Sequence, residues 1–289
     1  MPSYIVSSNP SPHVLLLSLS RNPVNAFSEE YWQELGRVFD KVNSMDDIRC
    51  VVLASNVSKG FSAGLDLVAP ENVSLGGTKG LKDPARASIP LRHHVLDFQE
   101  CITKISKSRV PVIASIHGVC VGLGIDIASA CDIRLAAADT TFAIREVAIA
   151  MAADIGSLQR VPKITGNDSL VRELALTGRF FKPEVALQLG LISRIIPGSQ
   201  KEVLEKALEL AEQIAENSPI AVLGTKHLLD HGREHSIQEG LEYTALWNSV
   251  MGQTQDLTEA IATFSKRGKG KPNNVGFANL SGKRGESKL

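Results

Sequence analysis

The chain has 289 residues, of which 43% are hydrophobic and 5% aromatic, which is enough apolar material for a sizeable core. Its 31 basic and 31 acidic residues give a formal net charge of zero, so the chain offers no electrostatic footprint for nucleic acid or an anionic membrane surface. It contains no uninterrupted apolar run of about 18 residues, and we expect no membrane span. The 4 cysteines match neither a C-x-x-C pair nor a zinc pattern, which predicts buried free thiols and no metal site.

The first two thirds of the chain alternate between strand-like and helix-like segments. Four short apolar runs have the length of strands: 14–19, 48–54, 110–116 and 133–137. Helical spacing predicts a helix after Ser28 and another from about Ile125 to Ala130. Glycines and prolines over about 68–90 predict a mobile, irregular excursion, with a helix restarting near Val95. Continuous apolar strands that alternate with helices favour an α/β fold whose sheets are covered on both faces.

The last third of the chain is predicted to be all-helical. Apolar stripes indicate helices over about 203–215, from Ser218 to Leu229, and over 237–251. We therefore divide the chain into a core with the active site (1–200), a helical region for packing or assembly (201–267) and a basic, flexible tail (268–289).

The tail ends in Ser287-Lys288-Leu289, which is the form of a receptor-read peroxisomal address. A specified terminal tripeptide arises by chance roughly once in several thousand chains, taking about twenty residue types per position. The sequence therefore predicts a peroxisomal import receptor as a partner and a location in the peroxisomal matrix. The alternative is an accidental, solvated tail.

Three carboxylates, Asp126, Glu146 and Asp154, lie in an otherwise strongly apolar stretch over 110–155. Buried charges are costly unless they are paired or functional. Burial raises a carboxyl pKa and suits it to proton transfer near neutral pH. The pattern predicts an enzyme that moves protons on an apolar substrate.

Each acid also has a structural explanation. Asp126 or Asp154 could cap a helix, and Glu146 could pair with Arg145 or Arg160. Asp132 and Asp139 flank a strand and are interpreted as cap or turn residues. His117 is interpreted as a core histidine with a satisfied hydrogen bond.

Two glycine-containing turns follow predicted strands, at Ser62-Ala63-Gly64-Leu65 and at Gly122-Leu123-Gly124. If the two turns face each other, their backbone N–H groups could bind a carbonyl oxygen and stabilise it as an oxyanion. Dinucleotide binding is the weaker interpretation, because Ile127 replaces the third glycine of G-x-G-x-x-G. A plain tight turn is a third possibility.

The stretch Ile116-His117-Gly118, followed by residues 122–126 and Ala130-Cys131-Asp132-Ile133-Arg134, resembles the crotonase (enoyl-CoA hydratase/isomerase) family over about residues 10–265. The resemblance implies a spiral of ββα turns with a C-terminal helical region that builds trimers, often paired into hexamers. It also implies that the backbone N–H groups of Leu65 and Leu123 form an oxyanion hole for an acyl-CoA thioester. Leu123 departs from the consecutive glycines that are frequent at 122–124.

The acid pattern resembles the branch of this family that isomerises 3,5-dienoyl-CoA to 2,4-dienoyl-CoA in fatty acid β-oxidation. Hydratases carry glutamates at the positions of Asp126 and Glu146 and glycine at that of Asp154. The glutamate that matches Glu146 serves C2 in the hydratases. This favours proton removal at C2 by Glu146 and proton addition at C6 by Asp154, with Asp126 tuning both, and the reverse assignment of Glu146 and Asp154 is the alternative. A hydratase or a Δ3,Δ2-enoyl-CoA isomerase is the nearest alternative, and a non-catalytic acyl-CoA-binding protein is the alternative from another class.

The family binds CoA through a loop that matches Ala63, Gly64 and Asp66 here. A phenylalanine and a lysine from a neighbouring subunit contribute as well, for which Phe264 and Lys266 or Lys271 are the candidates. No separate cofactor is expected, because CoA is part of the substrate.

Overall fold

The coordinates are a computed structural model, and the structure describes residues 3–68, 83–265 and 275–283. A six-stranded sheet has the order β1-β2-β3-β5-β7-β9, and a three-stranded sheet has the order β4-β6-β8. The strands are β1 Ile5–Ser11, β2 Val14–Leu19, β3 Cys50–Ser55, β4 Gly60–Ser62, β5 Val112–Ile116, β6 Val119–Val121, β7 Ile133–Ala137, β8 Thr141–Ala143 and β9 Arg194–Ile196. Only β1 and β2 pair antiparallel within the large sheet.

Ten helices connect or follow these strands in the described residues. They are α1 Glu29–Val42, α2 Pro84–Ser106, α3 Leu123–Ala130, α4 Ser157–Ile164, α5 Asp168–Thr177, α6 Pro183–Leu189, α7 Gln200–Ala215, α8 Pro219–Gly232, α9 Ile237–Met251 and α10 Gln255–Ser265. A short 3-10 turn spans Glu146–Ile149. Among the described residues, no helix combines the length and apolarity needed to cross a bilayer.

The two sheets are built by a repeated unit. A strand of the large sheet (β3, β5 or β7) is followed by a short strand of the small sheet (β4, β6 or β8) and then by a helix. Because the short strands pair in parallel, the segments that follow β4 and β6 leave the small sheet at the same edge. The predicted α/β fold and its spiral of ββα turns are confirmed.

The cores on the two faces of the large sheet differ in composition. Trp32 of α1 stacks on Phe98 of α2 with ring centroids 4.6 Å apart, within a cluster rich in aromatic and branched side chains. The other face is covered by α7, whose Val203, Ala207 and Ala211 are buried against the sheet. The apolar face of α7 is therefore part of the core, which is the packing role of the two that the sequence allows for 201–267.

The predicted irregular excursion over 68–90 is wrong in its last part. Residues 84–90 are helical, because α2 begins at Pro84, where the Asp83 side chain accepts hydrogen bonds from Ala85 N and Arg86 N. Pro90 lies inside this helix and obscured it in the sequence. Residues 69–82 lie outside the described residues.

Candidate active site

Two turns meet at the edge of the small sheet. The Leu65 turn (Ala63–Leu65) follows β4, and the Leu123 turn (Gly122–Leu123) follows β6 and opens α3. A Cβ built on Gly64 would lie 3.5 Å from Leu123 N and 3.0 Å from Val121 O. Since Gly64 also has a φ of +96°, only glycine fits this approach without strain.

Both turns present unused backbone donors. Neither Leu65 N–H nor Leu123 N–H donates to an acceptor within the described parts of the chain. Leu123 is the first residue of α3, where N–H groups have no intrahelical acceptor and the helix dipole is positive. Two converging donors of this kind can bind a thioester carbonyl and stabilise negative charge on its oxygen.

Glu146 lies directly beside the Leu123 turn. Its Oε1 would be 3.1 Å from a Cβ built on Gly122, which has a φ of +54°. Its Oε2 is buried and has no hydrogen-bond partner among the described residues. Burial raises the pKa of Glu146, and the neighbouring charge of Asp154 raises it further. A buried, unpaired carboxylate oxygen next to the donors is suited to accept a proton.

Asp126 is the most deeply buried of the three acids, with 2% of its surface exposed. Burial, and next the charge of Glu146, raise the pKa of Asp126 to about 7. Its Oδ1 accepts a hydrogen bond of 2.6 Å from the backbone N–H of Ser157 at the start of α4. Asp126 is therefore both a helix cap and an electrostatic neighbour of Glu146.

Asp154 is half-buried in the loop that precedes α4. Burial raises the pKa of Asp154, and the charge of His94 on α2 lowers it by a smaller amount. Gln99, also on α2, donates a hydrogen bond of 2.6 Å to the backbone carbonyl of Asp154. The charge effects link Asp126 to Glu146 and Glu146 to Asp154, so the structure brings the three acids together.

The predicted ion pairs of Glu146 are not formed. Arg145 donates to Gly178 O at 2.8 Å and lies over the ring of Phe180. Arg160 donates to Ile155 O at 3.2 Å and to Thr103 Oγ1 at 2.8 Å. The helix that begins near Gly156 receives its side-chain cap from Asp126, where Asp154 had been the expected alternative.

The other polar candidates have structural roles, as the sequence predicted. His117 is buried with Nε2 3.0 Å from Val57 O, and burial lowers its pKa. Asp132 forms an ion pair with Lys226 and accepts a hydrogen bond of 2.8 Å from Val112 N. Asp139 accepts from Gly118 N at 3.3 Å. Within the described residues, no group of three or more His, Cys, Asp or Glu side chains is arranged to hold a metal ion.

The candidate CoA-binding residues lie on different elements, some in or next to the Leu65 turn and one on α10. Ala63 and Gly64 belong to the Leu65 turn, and Asp66 next to it pairs with Arg21 at 2.7 Å. Phe264 is an exposed residue of α10. Lys266, Lys271 and the terminal Ser287-Lys288-Leu289 lie outside the described residues.

One cleft in the described part of the single chain lies away from this site. It has a volume of about 1060 Å³ and is lined by residues of α2, α4 and α8, including Arg160, Lys226 and Arg233, but by none of the three acids. The site is therefore identified by its donors and acids and not by cavity size.

Sequence reasoning missed Gln99 and His94, which approach Asp154 from α2. It also missed Asn25 and Ser62, which lie behind the Leu65 turn. Helical spacing from residue 84 onward would have placed His94 and Gln99 on one helix. The contact of that helix with the 154 loop is a tertiary feature with no local signal.

Comparison with known proteins identifies the family of this chain. A family model described as enoyl-CoA hydratase/isomerase matches residues 11–273. The mitochondrial Delta(3,5)-Delta(2,4)-dienoyl-CoA isomerase of Homo sapiens is 45% identical over 251 residues, covering 86% of this chain and 75% of the relative. The peroxisomal protein of that name from Arabidopsis thaliana is 39% identical over 259 residues, covering 89% and 92%. A crystal structure of enoyl-CoA hydratase from Bacillus anthracis has a TM-score of 0.80 at 29% identity, covering 91% and 96%. The chain belongs to the enoyl-CoA hydratase/isomerase family.

Proposed function

We propose that this protein converts 3,5-dienoyl-CoA to 2,4-dienoyl-CoA in fatty acid β-oxidation. The observation that carries this proposal is the third acid, Asp154, whose charge acts on Glu146. Glu146 lies beside two backbone donors that have no acceptor among the described residues. The relatives at 45% and 39% identity that bear the name of this isomerase support the same reaction.

The reaction moves one proton from C2 to C6 of an extended acyl chain. The donors of Leu65 and Leu123 bind the thioester oxygen, which makes the C2–H bond acidic. Glu146 takes the C2 proton, and the electrons of that bond spread through the conjugated chain as an enolate. Asp154 gives its proton to C6, which leaves double bonds at C2 and C4 and a neutral carbonyl. No electrons leave the substrate, so no redox cofactor is required.

Burial serves this chemistry in two ways. It raises the pKa of both Glu146 and Asp154, which favours the protonated form that Asp154 needs in order to donate a proton. It also excludes water, which would otherwise compete with Asp154 in protonating the enolate or add to the conjugated product. Asp126 adds its own charge beside Glu146 and holds the start of α4.

Exchange of substrate protons with deuterated water tests the two roles. Asp154→Asn is expected to exchange the C2 proton while forming no 2,4-dienoyl product, because Glu146 remains as base and exchanges with solvent. Glu146→Gln is expected to lose both exchange and isomerisation. Exchange at C2 in Glu146→Gln but not in Asp154→Asn would reverse the assignment.

Assembly into trimers, alone or paired as hexamers, is part of the proposal. Large apolar side chains on α8, α9 and α10 are exposed in the single chain, with Leu229 at 67%, Leu246 at 65% and Val250 at 64%. Exposed apolar area on this scale is typical of a protein interface. Sedimentation measures the outcome, since a monomer at micromolar concentration would contradict it. The neighbouring subunit would supply Phe264 and Lys266 or Lys271 to bound CoA.

Import into the peroxisome through Ser287-Lys288-Leu289 completes the proposal. The tripeptide itself supports it, as does the peroxisomal relative from Arabidopsis thaliana. The human relative is named as mitochondrial, so location differs within the family.

A further inference from the structure

The Leu65 turn is held in place by a segment that is remote in sequence. Residues 24–27, between β2 and α1, run alongside the turn. Three backbone hydrogen bonds join them: Ala63 N to Val24 O (2.9 Å), Phe27 N to Gly64 O (2.8 Å) and Asp66 N to Phe27 O (3.0 Å). These bonds fix the residues on either side of Leu65 and leave its own N–H available.

Asn25 is the centre of this segment. Its side chain is completely buried, and its φ of +49° lies in the left-handed region, which asparagine tolerates better than most residues. Its Nδ2 donates to Ser55 Oγ at 2.7 Å and to Phe61 O at 3.0 Å. Its Oδ1 accepts from Arg21 N at 2.7 Å. The amide therefore links the last residue of β3 to the middle residue of β4, the strand that leads into the Leu65 turn.

Ser62 connects Asn25 to the turn itself. Its buried Oγ donates to the backbone carbonyl of Asn25 at 2.8 Å and accepts from Gly64 N at 3.1 Å. Gly64 directly precedes Leu65, so one hydroxyl links the centre of the segment to the residue before the donor. A fully hydrogen-bonded buried network of this kind is rigid.

We propose that Asn25 and Ser62 are positioning residues that hold the Leu65 N–H in line with the thioester oxygen. This inference rests on the proposed function, because it assigns a role to that oxyanion hole. Oxyanion stabilisation requires donors that are fixed before charge develops, at about 2.7–3.1 Å from the oxygen. Both side chains are completely buried, so we expect their effect to pass through the geometry of the turn.

Ser62→Ala is the sharpest test, because it removes one hydroxyl without adding bulk. We expect kcat to fall by about tenfold or more while KM changes by less than about threefold, since a donor that acts mainly in the transition state is disturbed. We also expect a smaller red shift in the absorbance of bound 2,4-dienoyl-CoA, which reports polarisation of its carbonyl. The matched control is Ser108→Ala, another buried serine, whose Oγ has no partner among the described residues.

The red shift is measured per bound ligand, so a partly unfolded variant does not imitate its loss. Asn25→Ala is a second variant with the same expected direction in kcat and red shift. A wild-type red shift in Ser62→Ala would overturn the inference, whether or not kcat falls. If the wild type fails to isomerise 3,5-dienoyl-CoA, the proposed function is wrong, while the red shift with bound product still tests the positioning role.

Discussion

Asp126 Oδ1 accepts a hydrogen bond of 2.6 Å from the backbone N–H of Ser157, so a buried acid of α3 caps the helix that follows Asp154. Gly156 occupies the N-cap position of α4 and has no side chain with which to cap it. Asp126 supplies the missing acceptor, and the nearby charge of Glu146 contributes to raising its pKa. The Asp126 side chain therefore holds the start of the helix that follows Asp154 and also interacts electrostatically with Glu146.

Asp126→Asn is expected to flatten the pH dependence of stability, because its amide oxygen can keep the cap without a charge. Folding raises the pKa of Asp126 to about 7, from an unfolded value of about 3.9. An acid with a raised folded pKa holds its proton more tightly in the native state. Its contribution to the free energy of unfolding therefore falls as pH rises from about 4 to about 7, by about 4 kcal/mol in total. Urea unfolding at about pH 5 and about pH 8 captures about 3 kcal/mol of this change. An identical pH dependence in both proteins would contradict the assignment.

Gly122→Ala is expected to impair turnover by displacing Glu146. The added Cβ would lie 3.1 Å from Glu146 Oε1, at a residue whose φ is +54°. The contact requires Glu146 to move by a few tenths of an ångström. We expect a loss in rate of up to about a hundredfold, which is the cost of a displacement of about 1 Å at a reacting group. Gly166→Ala is the matched control, since its Cβ would meet nothing within 4 Å. Steady-state kinetics on both variants measures the effect. If Gly122→Ala and Gly166→Ala have equal kcat values, Glu146 takes no part in the reaction.

Lys226→Met is expected to destabilise the fold by about 3–5 kcal/mol, because it leaves the Asp132 carboxylate without its cation. The ion pair is largely buried, with side-chain exposures of 8% and 22% for Lys226 and Asp132. Lys201→Met removes an exposed partner of Glu205 and is expected to cost at most about 1 kcal/mol. Chemical denaturation compares the two variants, and similar costs would show that the buried pair is not a stabilising anchor for α8.

Deletion of Ser287-Lys288-Leu289 is expected to leave a fluorescently tagged protein in the cytosol of cells that import the full chain into peroxisomes. The tag belongs at the N-terminus, so that the address stays free. The deleted protein must be expressed without an untagged full-length copy, because mixed oligomers would carry it in. Peroxisomal import under those conditions would refute the proposed address.

The sequence predicted the long helices α1, α7, α8 and α9 and the three acids, and it did so for a physical reason. Apolar runs such as 133–137 must be buried, and charges in an apolar stretch must be functional or paired. The three-residue strands β4, β6 and β8 were missed, because so short a segment carries no periodicity. Their pairing is nevertheless what brings Leu65 and Leu123 to one edge.

The supporting contacts could not be predicted from local patterns. Asn25 and Ser62 are 37 residues apart, and their hydrogen bond exists only because β2, β3 and β4 converge. The cap from Asp126 to Ser157 spans 31 residues in the same way. In the sequence each of these residues is an ordinary turn, cap or strand position.

Ultraviolet spectra of the purified protein with a 3,5-dienoyl-CoA and, separately, with a 2-trans-enoyl-CoA distinguish an isomerase from a hydratase. We expect the conjugated 2,4-dienoyl absorbance to rise in the first cuvette and the enoyl absorbance to change little in the second. Loss of enoyl absorbance without conversion of the 3,5-diene would make the protein a hydratase and leave Asp154 without a role in proton transfer. No change in either cuvette would favour a protein that binds acyl-CoA without reacting with it.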